Sequence, residues 1–163
     1  MKAVLAVLFF AMSIPAAAQS ADAIFRQACG PLDARFDVEQ VKGQPPAAPE
    51  PGKALVYFIQ KDSGFPFTTR VGLDGAWVGV LQRDSYIFFS VVPGEHHACA
   101  ATLSRKRQEA DFVDFTTEAG KTYYYLVRSI LDGSDIRELG PADRNETLFL
   151  IASYPQSVAK PNP

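Results

Sequence analysis

The stretch Arg70-Val71-Gly72-Leu73-Asp74-Gly75-Ala76-Trp77-Val78-Gly79-Val80-Leu81 sets Asp-Gly between two short apolar runs, and this constrains the fold more than any other part of the chain. A two-residue hairpin loop needs positive φ at its central positions, and Asp-Gly adopts that conformation at little cost. The segment therefore reads as two antiparallel strands folded back across Asp74-Gly75.

The pattern continues on both sides. Lys53 to Gln60 and Thr122 to Arg128 are apolar at consecutive positions, as in strands covered on both faces. Ser85 to Val92, His96 to Leu103, Asp111 to Thr116 and Ile136 to Leu139 supply further short runs. Asp62-Ser63-Gly64, Gln82-Arg83-Asp84, Pro93-Gly94, Arg105 to Glu109 and Glu118 to Lys121 punctuate them as turns or loops. With 12 Pro and 11 Gly among 163 residues, long helices have little room. The expectation is an all-β domain over residues 53–154, an antiparallel two-sheet sandwich of about seven or eight strands.

Residues 1–18 read as a signal peptide. Met1-Lys2 is a minimal basic start, Ala3 to Met12 is apolar, and Ala16-Ala17-Ala18 supplies small residues before a cut ahead of Gln19. The apolar run, broken at Pro15, is shorter than the roughly 20 residues that span a bilayer. No membrane span is expected after cleavage, and the mature protein is expected in the periplasm or outside the cell. In an oxidising compartment the only two cysteines, Cys29 and Cys99, form one disulfide. It closes a loop of about 70 residues, for which chain entropy assigns about 4 kcal/mol.

Residues 19–52 divide into a helix and a strap. Ala21, Ile24, Phe25 and Ala28 recur at helical spacing, with Ser20 or Asp22 as N-cap and Gly30-Pro31 as the stop. Phe36, Val38 and Val41 form a brief extended piece, and Gln44 to Gly52 carries four prolines that enforce a polyproline-like spacer. At the other end, Gly140-Pro141-Ala142-Asp143 opens a short closing helix over residues 142–153, with a strand as the competing reading. Residues 155–163 are expected to be a disordered tail.

Candidate chemistry is sparse. A net charge of −2 gives no electrostatic basis for binding nucleic acid or an anionic membrane. His96 and His97 are adjacent, so on a strand they point to opposite faces and cannot share one metal ion. No Gly-x-Ser-x-Gly elbow places a nucleophile, and Asp111, Asp114 and Glu118 single out no carboxylate pair. No catalytic residue, metal site or cofactor is assigned. Trp77, two residues past the hairpin turn, is the candidate binding residue.

Lys53-Ala54-Leu55-Val56-Tyr57, Val71-x-Leu73-Asp74-Gly75-x-Trp77-Val78-Gly79, Val92-Pro93-Gly94-Glu95-His96 and Glu118-Ala119-Gly120-Lys121-Thr122-Tyr123-Tyr124 together resemble a bacterial exported family catalogued as domain of unknown function 2846. The resemblance covers about residues 53–130 and extends to small PEGA-like and carboxypeptidase-regulatory-like sandwiches. It implies a non-catalytic interaction module and carries over no catalytic residue. Many members look like lipoproteins, whereas this chain lacks a lipobox. The expected function is a non-enzymatic envelope module that binds another envelope protein or a cell-wall polymer. Two alternatives are a small hydrophobic ligand carrier and a hydrolase using His96 or His97.

Overall fold

The computed structural model describes residues 20–31, 33–45, 48–61, 68–103, 108–130 and 133–161. The expected signal segment, the turn at Asp62-Ser63-Gly64 and most of the loop at Arg105 to Glu109 lie outside them.

Strand β2 (Ala54–Gln60) is buried at all seven positions, because the sheet that contains it is covered on both faces. Its even-numbered residues Ala54, Val56 and Phe58 face the gap between the sheets, where Val71, Leu81, Ile87, Ala98, Ala100, Tyr125 and Val127 meet them. Its odd-numbered residues Leu55, Tyr57 and Ile59 face outward and lie under Leu139 and Leu150. The continuous apolar run thus comes from two separate cores on opposite sides of one strand.

β2 is flanked by β5 (Ser85–Val91), antiparallel, and by β8 (Thr122–Ile130), parallel. β9 (Gly133–Glu138) pairs with β8 at one margin, while β10 (Gln156–Pro161) and β1 (Phe36–Val41) complete the other, giving the order β1-β10-β5-β2-β8-β9. The second sheet has β3 (Thr68–Leu73), β4 (Ala76–Gln82), β6 (Gly94–Leu103) and β7 (Gln108–Thr117) in the order β4-β3-β6-β7. Side-chain bonds stitch the two sheets along both open sides. The Asp111 carboxylate on β7 accepts the Ile136 amide of β9 at 2.8 Å, and the Gln40 side chain of β1 donates to the Gln82 carbonyl at 2.8 Å.

The sandwich expectation holds in outline, with ten strands among the described residues in place of seven or eight, and with β2–β8 and β10–β5 parallel in a mostly antiparallel assembly. Both extra strands come from segments read as peripheral. Phe36 to Val41 belongs to the sheet, and residues 156–161, expected as a disordered tail, form β10, paired with β1 from Phe36↔Pro161 to Val41↔Gln156. Each of these short polar segments acquires a strand conformation by satisfying the other's backbone groups. The closing segment resolves in favour of helix: a single 3-10 turn over Pro141–Asp143 leads into α2 (Arg144–Ser153).

At the opposite end of the molecule, α1 (Ala21–Ala28) begins with Ser20, whose hydroxyl accepts the Ala23 amide, and lies on the outer face of the four-stranded sheet. The expected disulfide Cys29–Cys99 anchors it there, with Cα atoms 5.6 Å apart. Gly72 fits this contact because it lacks a side chain. A Cβ at that position would lie 2.6 Å from the Cys29 Cα. The β3–β4 register shifts beside it, skipping Val78. Among the described residues, no helix is long and apolar enough to cross a membrane.

Candidate functional site

The opening hairpin forms as expected, with Asp74 at φ 49° and Gly75 at φ 82°. Asp74 then acts beyond its turn. Its carboxylate accepts the His97 amide and a ring nitrogen of His96, each at 2.8 Å, while its own amide donates to the His97 carbonyl at 2.8 Å. The other His96 nitrogen reaches the Val92 carbonyl at 2.8 Å, so both nitrogens are engaged by oxygen acceptors of this chain. His96 is buried and packs on Phe115.

His97 projects to the opposite, exposed side, where Nδ1 lies 2.8 Å from the Asp114 carboxylate. That hydrogen bond holds its pKa above the ordinary histidine value. Among the described residues neither ring is hydrogen-bonded to a Ser, Thr or Cys side chain. The three carboxylates considered for paired chemistry are dispersed: Asp111 bonds Ile136, Asp114 bonds His97, and Glu118 bonds Lys121 at 2.8 Å. The described residues contain no cluster of three metal-ligating side chains.

Trp77 is half-buried against the N-terminal segment. Its indole N–H donates to the Pro31 carbonyl at 2.7 Å, Phe25 meets it edge-on at 6.1 Å, and the Arg70 guanidinium sits 4.3 Å from the ring centroid. Gly30 lies so close that an added Cβ would come within 2.3 Å of the ring. What Trp77 grips in this structure is its own chain. A carrier would need room between the sheets, and Phe58, Phe89, Phe115 and Tyr125 pack together there.

A recess lies on the outer face of the six-stranded sheet, whereas Trp77, His96 and His97 belong to the four-stranded one. As β9 ends, the Leu139 amide still donates to the Tyr124 carbonyl at 2.8 Å, so the chain departs close along β8. Pro141 then fixes the backbone for a helical turn. The Asp143 carboxylate accepts the Gly140 amide at 3.0 Å, and the Thr147 hydroxyl donates to the Asp143 carbonyl at 3.0 Å. These contacts set α2 at an angle that buries Leu150 against the sheet and leaves an open cleft of about 430 Å³ beside β8. Tyr124, Leu139, Thr147 and Leu148 form its walls, with Glu138 and Arg144 on its borders.

Tyr124 is held rigidly, stacked on Tyr57 at 5.2 Å. Burial raises its pKa, an effect opposed by the positive charge of nearby Arg144. Glu138 and Arg144 have no ion-pair partner among the described residues, whereas neighbouring Arg137 pairs with Asp143 at 3.4 Å and Lys61 pairs with Glu146 at 2.9 Å. α2 leaves Leu148, on the cleft wall, 50% exposed and Phe149, outside the cleft, 67% exposed. No local sequence motif announces this site, because its parts come from β8, the exit of β9 and α2. The Leu148-Phe149-Leu150-Ile151 run was the available signal, since one helix face cannot bury four consecutive apolar residues. The chain matches no protein-family model, and a search of curated proteins finds no match.

Proposed function

We propose that this protein is a non-catalytic binding module of the bacterial envelope, exported with a cleavable signal peptide, and that its binding site is the cleft between β8 and α2. One observation carries the reading: a rigid tyrosine, an exposed leucine and two opposite charges without ion-pair partners among the described residues border a single recess. Binding sites combine apolar walls with a few placed polar groups at this scale. A disulfide-anchored framework suits an oxidising compartment. A narrow recess accommodates one unit or end of a polymer better than the broad face of a folded protein, which favours a cell-wall polymer over a protein partner.

Co-sedimentation with purified peptidoglycan sacculi tests this. The mature protein is expected in the pellet, and an Arg144→Ala/Leu148→Asp variant is expected to stay in the supernatant. If both pellet equally, or if neither pellets, the cleft is not a wall-binding site. A Trp77→Phe variant serves as the control and is expected to pellet like the wild type.

A further inference from the structure

Resting on that cleft reading, we propose that its ligand is zwitterionic: a short peptide end with a free ammonium and a free carboxylate, the ammonium facing Glu138, the carboxylate facing Arg144, and an apolar side chain lying against Tyr124 and Leu148. The motivation is the pairing pattern around the recess. Arg137 with Asp143 and Lys61 with Glu146 each bond an opposite charge, whereas Glu138 and Arg144 border the cleft without an ion-pair partner among the described residues. An anionic ligand would meet Glu138 unfavourably and a cationic one would meet Arg144 so. Only a molecule carrying both charges is complemented at both borders. Arg144 also lies in the first turn of α2, at the positive end of the helix dipole. The cleft volume, about 430 Å³, matches a di- or tripeptide. Tyr124, braced by Tyr57, offers a pre-positioned ring face that loses little entropy on contact.

The probe is the dipeptide alanyl-phenylalanine in four forms: both ends free, N-acetylated, C-amidated, and both blocked. Each is titrated into ¹⁵N-labelled mature protein and followed by amide shifts. The free dipeptide is expected to shift residues 122–124 and 138–148, and each single block is expected to weaken it roughly five- to tenfold. The N-acetylated form should bind wild type and Glu138→Gln equally, and the amidated form should bind wild type and Arg144→Gln equally, since in each case the lost partner is already absent. If all four forms bind this cleft alike, the zwitterion assignment is overturned while the cleft reading stands. If none shifts the cleft while sacculi still bind and the Arg144→Ala/Leu148→Asp variant still pellets, both are overturned.

Discussion

Gly72→Ala is the perturbation whose outcome the structure fixes most tightly. The new methyl would lie 2.6 Å from the Cys29 Cα, 2.8 Å from the Ala28 carbonyl oxygen and 3.0 Å from the Cys99 sulfur. The first two are backbone atoms, and Cys29 is tethered by the disulfide, so α1 cannot simply swing aside. Overpacking of this kind costs about 1–3 kcal/mol, offset by roughly 0.5–1 kcal/mol from restricting the unfolded chain. Because the two shortest contacts are with backbone atoms, the upper end of the overpacking range applies, and a net loss of about 2 kcal/mol is expected. The informative comparison is the same substitution in a Cys29→Ala/Cys99→Ala background. That background itself loses about 4 kcal/mol by chain entropy, but it frees α1 to lift, so the added methyl should then cost about 1 kcal/mol or less. Urea unfolding of the four proteins, followed by far-UV circular dichroism, gives a coupling energy of about 1 kcal/mol or more. An unchanged penalty in both backgrounds would refute the claim that the disulfide holds α1 against Gly72.

Three further outcomes are expected. Reduction of the disulfide should red-shift the emission of Trp77, the only tryptophan, as the Pro31 contact loosens and water reaches the indole; calorimetric and fluorescence transitions should then separate. Leu150→Ala, at a position 2% exposed, should cost about 2–5 kcal/mol in urea unfolding, whereas Phe149→Ala should be near neutral. For His97, the folded value is raised above 6.5, so its pairing with Asp114 stabilises the protein below pH 6.5 and that contribution is lost as pH rises through the folded value. Both groups are substantially exposed, so screening limits this to about 0.3 kcal/mol. An NMR titration should show the His97 midpoint falling in Asp114→Asn.

What was legible in the sequence was local. Asp74-Gly75 dictates its own backbone, and the alternation of His96 and His97 follows from strand geometry. The apolar runs of β2 and β8 mark strands with two covered faces wherever their partners lie. The missing pieces depend on residues far apart in the chain. Gln156 to Pro161 has too few apolar residues to declare a strand, and becomes one because β1 offers a complete partner. The cleft joins Tyr124 to Arg144 through a turn whose angle is set by Asp143, and no short motif encodes that angle. Trp77 was singled out for its position near a tight turn. Its partners on the N-terminal segment lie more than forty residues earlier in the chain, as the separation of 46 from Pro31 shows.

The pairing of β1 with β10 has a consequence for timing. Lys160 and Glu39, 121 positions apart, meet across this pair. Contacts of such separation form late, because the intervening chain must be ordered first, and folds rich in them reach the native state in milliseconds to seconds. Until residues 156–161 dock, β1 has no strand partner and the margin of β5 stays open to any passing strand. A chain paused or cut before Gln156 is therefore expected to accumulate as a nearly complete sandwich with one adhesive edge, the kind of intermediate that chaperones exist to shield.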